Sequence, residues 1–287
     1  MNGNKPIKLI ECPRDAMQGW KVNIPTATKI EYINQLLRVG FDTIDFGSFV
    51  SPKAIPQMAD TKEVIEQLDA ITNKTKLLAI IANARGAKDA SAYKKIDQLG
   101  YPFSVSPTFQ MRNANSTIDE SFVRVKEINT ICGDSNKELV IYISMAFGNP
   151  YGDFLNEEII LKWIEKLVTA GITIISLADT VGIASASQVS ALVKKVIATF
   201  PQIETGVHLH AKADGWKHKI EAAYNEGCRR FDGSLNGIGG CPMAEDELVG
   251  NMNMQNMINF FKENKELLTL DLTALASAIN MANNIFN

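Results

Sequence analysis

The sequence predicts an α/β chain folded as a single (β/α)8 (TIM) barrel with a short C-terminal helical extension. Eight short runs rich in β-branched and apolar residues recur along it, each followed by a stretch with helical spacing. Such strict alternation implies parallel strands joined by right-handed crossovers. An open doubly wound sheet usually announces itself by GxGxxG after its first strand, and here that place holds Cys12-Pro13-Arg14-Asp15. A length of 287 residues suits one closed barrel.

The runs are Ile7–Cys12, Thr43–Gly47, Lys76–Ala82, Tyr101–Ser106, Leu139–Met145, Thr173–Ala178, Thr205–His210 and Arg229–Gly233. After the first, Ile30, Ile33, Leu36 and Leu37 fall three or four residues apart and share a helix face. After the fifth, Ile159, Ile160, Trp163, Ile164 and Leu167 do the same. Glycines at Val39-Gly40, Leu99-Gly100, Ala170-Gly171 and Glu226-Gly227 read as left-handed helix ends before the next strand. The barrel is expected over about residues 7–262, with a terminal helix over about 270–287, its core Leu272 to Ile285. No proline-rich linker or composition shift marks a second domain.

Composition narrows the function classes. Net charge is −3, from 29 Lys and Arg against 32 Asp and Glu, and no polybasic stripe favours nucleic acid. The least-charged apolar stretch, Leu139 to Gly152, is broken by Ser144, Asn149 and Pro150, so no membrane span is expected. The first ten residues lack an apolar signal core. Cys12, Cys132, Cys228 and Cys241 are scattered without CxxC spacing, which suits free thiols in a reducing cytoplasm.

Barrel enzymes work at the carboxyl ends of their strands. In this register those ends carry Arg14 and Asp15, Asp45, Asn83, Ser144, Asp179 with Thr180, and His208 with His210. The eighth unit opens into Asn236 and the glycine-rich loop Gly237 to Pro242. His208-Leu209-His210 is the sharpest signal, because residues two apart on a strand face the same way. Two of the chain's three histidines sit there. With Asp15 across the barrel they make a three-ligand set with open positions; the plainer reading is a pair of strand histidines bonded to carbonyls. Arg14 offers a planar fork to an oxyanion. Asp45 has a helix cap as its alternative reading, and Asp179, before Thr180, reads equally as a cap at a helix start. Cys241 is the one cysteine in a plausible active-site loop, whereas Cys132 and Cys228 read as small core residues.

These segments resemble a known family. Ile10-Glu11-Cys12-Pro13-Arg14-Asp15 with Gln18 is similar to the opening E-x-G-P-R-D-G-x-Q of the 3-hydroxy-3-methylglutaryl-CoA lyases. Gly47-Ser48-Phe49-Val50-Ser51-Pro52-Lys53, Pro56-Gln57-Met58 and Asp60 resemble that family's T-S-F-V-S-P-K-x-x-P-Q-M-x-D. Ile175 to Gly182, His208-Leu209-His210 and Gly239-Gly240-Cys241-Pro242 with Gly250-Asn251 follow in family order. The resemblance implies Asp15, His208, His210 and Asn251 as ligands of a divalent cation, Mg or Mn. It implies Arg14 stabilising an enolate, Asp45 in place of a proton-transferring glutamate, and Cys241 acting from a lid loop. The implied reaction is retro-Claisen cleavage of an acyl-CoA substrate, HMG-CoA, to acetyl-CoA and acetoacetate, by a homodimer. Departures stand beside it: Cys12 replaces the glycine before Pro13, and Asp45 is one methylene shorter than the family residue. Ala211 replaces an acid after the histidine pair, with Asp214 a displaced substitute, and the stretch from Cys241 to Asn251 is one residue longer. A superfamily lyase or aldolase acting on another hydroxy acid, and an inactive metal-binding barrel, are the alternatives.

Overall fold

The computed structural model describes residues 5–70, 73–211, 215–240 and 249–287. Within them lie strands β1 (Lys8–Glu11), β2 (Thr43–Ser48), β3 (Lys76–Ile80), β4 (Gln98–Ser104), β5 (Glu138–Ser144), β6 (Ile174–Ala178), β7 (Glu204–His208) and β8 (Arg230–Gly233). They pair in parallel and in sequence order, and β1 closes the barrel against β8. Every expected run overlaps one strand.

The helices are α1 (Pro13–Gln18), α2 (Thr26–Val39), α3 (Thr61–Gln67), α4 (Ala84–Ser91), α5 (Pro107–Ala114) and α6 (Ile118–Asp134). They continue with α7 (Glu157–Thr169), α8 (Ala186–Thr199), α9 (Trp216–Asn225), α10 (Met254–Glu263) and α11 (Leu272–Ile285). Leu77, Leu99, Ile141, Ile175, Val207 and Phe231 point outward into the layer shared with the helices. Leu78, Val140, Tyr142 and Ile174, alternating with them, fill the interior. The helices meet the outer layer with the faces their spacing implies: Ile33, Leu36 and Leu37 on α2, and Ile160, Ile164 and Leu167 on α7, are buried. Each such side chain stabilises the fold by roughly 1.5–3 kcal/mol through burial.

Three of the four glycines expected at helix ends adopt left-handed φ, +83° at Gly40, +91° at Gly171 and +93° at Gly227. Gly100 does not end a helix. It lies inside β4, which begins at Gln98 rather than Tyr101. A Cβ there would stand 2.6 Å from Ile80 Cδ1 and 3.1 Å from Tyr142 Cε2, so its role is to clear space inside the barrel.

α11 packs along α2. Asp271 caps it through the amides of Thr273 and Ala274, each at 2.9 Å, and Phe286 meets Trp20 edge-on at 5.3 Å. Asn283 accepts from Asn236 at 2.9 Å, tying the extension to the turn after β8. That turn is also held by Glu11, whose Oε1 accepts the Leu235 amide at 2.9 Å while Oε2 is buried without a partner.

Burial pushes the Glu11 carboxyl up to about 8, against the smaller opposing effect of the Leu235 amide. In the unfolded chain it ionises at an ordinary carboxylate value. The native state therefore holds a proton that the unfolded chain has lost, and stability from this site falls as pH rises from about 4.5 to about 8. Glu11→Gln should melt near wild type at pH 5 and above it, by about 5 °C or more, at pH 9. Parallel melting curves across that range would show that Glu11 does not titrate in this way.

Candidate active site

α1 carries the first part of the site. Pro13 sits at its start, where a missing amide costs nothing, so the chain turns into a helix directly off β1. This places Arg14 and Asp15 over the barrel mouth, both buried. Arg14 Nε lies 3.2 and 3.0 Å from the two Asp45 oxygens, and Nη2 lies 2.5 Å from Oδ2. Its Nη1 donates to Asp15 Oδ1 at 3.0 Å, and Gln18 donates to the same oxygen at 2.6 Å. One guanidinium thus binds two carboxylates from two elements, a use of the planar fork that an ammonium cannot copy.

Asp45 is a β2 residue beside an irregularity in the β2–β3 register, between Asp45 and Gly47. It faces the interior and caps no helix. Burial is the largest influence on Asp45 and raises its carboxyl, outweighing the opposing pull of Arg14. For Asp15 burial acts the same way, but Arg14, His208, His210 and the Asn251 amide outweigh it and hold the carboxyl below its ordinary value.

Asp15, His208 and His210 come together: one ligand atom from each lies within 4.8 Å of the others. The strand reading of the histidine pair needs correction, since β7 ends at His208. His210 lies beyond it, in an isolated antiparallel bridge to Asn251, backed by the Ala211 amide on Gly250 O at 3.2 Å. That bridge delivers Asn251 to the cluster. Asn251 Nδ2 donates to Asp15 Oδ2 at 2.6 Å and to Ile238 O at 3.0 Å, leaving Oδ1 buried and without a partner. The third histidine, His218, is exposed on α9.

The ring orientations are set from behind. His210 Nδ1 faces Val249 O at 3.0 Å and His208 Nδ1 faces Asp232 Oδ2 at 3.2 Å. A proton on each Nδ1 satisfies these acceptors and leaves each Nε2 as a lone pair. Burial, then the neighbouring His208, lowers His210 to about 4, so it is neutral at ordinary pH. His208 is raised: burial opposes its charge, but the Asp232 hydrogen bond and charge and then Asp15 outweigh burial. The two imidazole nitrogens, a depressed carboxylate and an orphaned amide oxygen are a donor set that fits a divalent cation.

Asp232, on β8, is a site residue that reading the sequence missed. Its signal was available, since it stands two residues after the interior-facing Arg230. Asp179 does not cap a helix; Ser185 caps α8, in a capping box with Gln188. Asp179 is buried and pairs with Lys219 Nζ at 2.7 Å, which also donates to His210 O at 2.8 Å and Gly182 O at 3.0 Å. Thr180 Oγ1 accepts the Met145 amide at 2.9 Å.

The loop after β8 crosses the site at Gly239, φ +120°, where a Cβ would stand 2.3 Å from Asn251 Nδ2 and 3.1 Å from Asp15 Oδ2. No side chain fits between this loop and the cluster. Cys241 and Asp214 lie outside the described residues. Cys132 and Cys228 are buried, and burial pushes both thiols up to about 12, as packing residues. A cavity of about 980 Å3 opens at the opposite, strand-start end, lined by Lys8, Glu204 and Arg230 among others, away from this cluster.

A closed parallel barrel with an Asp–His–His cluster and an arginine at its carboxyl end defines a class of enzyme, and comparison with known proteins places the chain within it. The HMGL-like family model matches residues 7–282, and the chain belongs to that family as a carbon–carbon lyase of the HMG-CoA lyase type. It is 32% identical to hydroxymethylglutaryl-CoA lyase YngG of Bacillus subtilis, covering 93% of this chain and 88% of that one. It is 30% identical to the (R)-citramalyl-CoA lyase of Chloroflexus aurantiacus, covering 93% and 86%. An HMG-CoA lyase from Acinetobacter baumannii, solved with coenzyme A and 3-methylmalate, superposes with a TM-score of 0.90 at 31% identity, covering 98% of this chain and 91% of that one.

Lys219 binds Asp179 and the His210 carbonyl at once, so Lys219→Met strands a buried carboxylate and frees the segment holding His210. The expected result is a loss of about 3–5 kcal/mol in stability. Divalent-cation affinity should fall by about 10-fold or more, read by calorimetric titration. Unchanged melting and affinity would mean that the clamp holds nothing.

Proposed function

We propose that this chain cleaves 3-hydroxy-3-methylglutaryl-CoA to acetyl-CoA and acetoacetate in a divalent-metal-dependent retro-Claisen reaction. The observation that carries the reading is the Asp15, His208 and His210 cluster with the partnerless Asn251 carbonyl beside it. These four residues would hold the cation, Mg or Mn. When bound, it supplies Lewis-acid polarisation of the substrate hydroxyl.

The remaining chemistry belongs to the chain's own residues. Asp45, its carboxyl raised by burial, is suited to take the proton of the tertiary hydroxyl. The carbon–carbon bond then breaks, and the electron pair passes into the thioester as the enolate of acetyl-CoA. Arg14 meets the enolate oxygen, because its guanidinium has N–H groups beyond those given to Asp45 and Asp15. Cys241 is proposed to join the proton transfer to carbon from the loop that passes Gly239. A cavity of about 300 Å3 at the same end, lined by Ser48 to Pro52, Lys62 and Arg85, suits the approach of an acyl-CoA. A cytoplasmic homodimer is proposed on the family resemblance; no helix among the described residues is long and apolar enough to cross a membrane.

A second reading keeps the chemistry and changes the acyl group. The citramalyl-CoA lyase relative and the shorter Asp45 carboxylate both favour a related hydroxyacyl-CoA. Steady-state assay of HMG-CoA beside (R)-citramalyl-CoA decides: kcat/KM highest for HMG-CoA supports the first reading, and the reverse order overturns it. Activity should vanish on chelation and return with Mg or Mn; full turnover after verified metal removal contradicts the mechanism in both readings.

Arg14→Lys retains charge and loses the fork. It should lower kcat on the order of 10²-fold with little change in KM, as for an interaction made in the transition state. A raised KM with intact kcat would move Arg14 to ground-state binding.

A further inference from the structure

We propose a second cation site inside the barrel, below the active site, built from Cys12, His208 and Asp232 and selective for a thiophilic divalent ion such as zinc. One ligand atom from each of these three side chains lies within 4.8 Å of the other two. They stand at the carboxyl ends of β1, β7 and β8, and Cys12 and Asp232 are fully enclosed. Two further polar atoms nearby are buried without partners, Asp232 Oδ1 and the Tyr142 hydroxyl. The Tyr142 ring packs edge-on against His208 at 5.7 Å, and its hydroxyl lies within electrostatic reach of Asp232 and Cys12. Buried polar atoms without partners are rare, because each forfeits its hydration for nothing. Two around one thiol–imidazole–carboxylate set point to a ligand.

The donor chemistry selects the ion. Sulfur, nitrogen and carboxylate oxygen at three positions make a zinc-type set, with Tyr142 as a fourth neighbour. Magnesium, which wants oxygen ligands in near-octahedral order, is poorly matched. Local charge agrees: Asp15, Asp45 and Asp232 face Arg14 and Arg230, so carboxylates outnumber guanidiniums; Arg230 gives Nη1 to Glu204 at 3.3 Å and keeps Nε and Nη2 without partners. Without a metal, burial and the surrounding carboxylates keep the Cys12 thiol protonated, and Sγ contacts Ile10 O at 3.6 Å. Binding would release that proton to solvent.

The two sites share His208, and a neutral imidazole has one N–H and one lone pair. In the active-site arrangement Nδ1–H serves Asp232 and Nε2 is free. At the inner site Nδ1 must bind the ion, the Nδ1 proton moves to Nε2, and His208 can no longer ligate the catalytic cation. The sites exclude each other, so a thiophilic ion inhibits by competing with the catalytic metal and not with substrate. This inhibitory consequence rests on the function proposed above; the inner site itself does not.

Cobalt is the probe, because thiolate ligation gives a charge-transfer absorption in the near ultraviolet. Metal-free full-length protein titrated with cobalt should show that band, Cys241→Ser should keep it, and Cys12→Ser and Cys12→Ala should lose it while melting near wild type. A band that survives both Cys12 substitutions, or no band in wild type at saturating cobalt, overturns the site. Zinc inhibition of the magnesium-loaded enzyme should weaken by about 10-fold or more in Cys12→Ser and be relieved by added manganese. Equal zinc sensitivity in wild type and variant contradicts the exclusion. If the enzyme turns over no hydroxyacyl-CoA, the functional reading fails while the absorption measurement still decides the site.

Discussion

Three carboxylates, two imidazoles and a guanidinium are enclosed together at one end of the barrel, and the surrounding structure keeps that charge satisfied. Water cannot solvate groups this deep, so each must find a fixed partner. Arg14 answers two carboxylates at once, which is why its planar fork matters more than its charge. Asp232 and Val249 O hold the imidazoles from behind through Nδ1, leaving Nε2 of each without such a partner. Lys219 holds the chain just beyond β7, where an isolated bridge to Asn251 takes the place of the strand ladder at His210. What this network leaves unpaired, above all Asn251 Oδ1, is where a ligand belongs.

The barrel was legible because its code is periodic. A strand of four to seven residues between amphipathic helices leaves an apolar run, and eight such runs at barrel spacing admit few other arrangements. The misreading at Gly100 has a definite cause. Glycine after a leucine looks like a helix end, but here it serves the barrel interior, where Tyr142 and Ile80 need the volume that a Cβ would take. Only neighbours distant in sequence carry that information. Asp179 was ambiguous for the same reason, since its partner Lys219 comes 40 residues later.

The site divides along similar lines. Arg14, Asp15 and the histidine pair were visible locally, because they gather at the carboxyl ends of strands, where a barrel places its active site. Asn251 rested on family resemblance alone; what places it is the bridge to His210, a pairing without a strand pattern to announce it. Asp232 was hidden inside the eighth run, Arg229–Gly233, where it reads as one more strand residue, and Cys12 looked like a mere departure from a family motif. Both emerge only when β1, β7 and β8 are closed into a ring and share His208.

The central claim is that four side chains from three separate stretches of chain form one cation site above a buried carboxylate–arginine pair. Its most direct measurement is the anomalous diffraction of a manganese-soaked crystal. The account predicts one strong peak bonded by Asp15, a nitrogen of each of His208 and His210, and Asn251 Oδ1, with coordination positions left open for substrate. A peak elsewhere, or a cluster that stays empty at saturating manganese while the enzyme turns over, would contradict it.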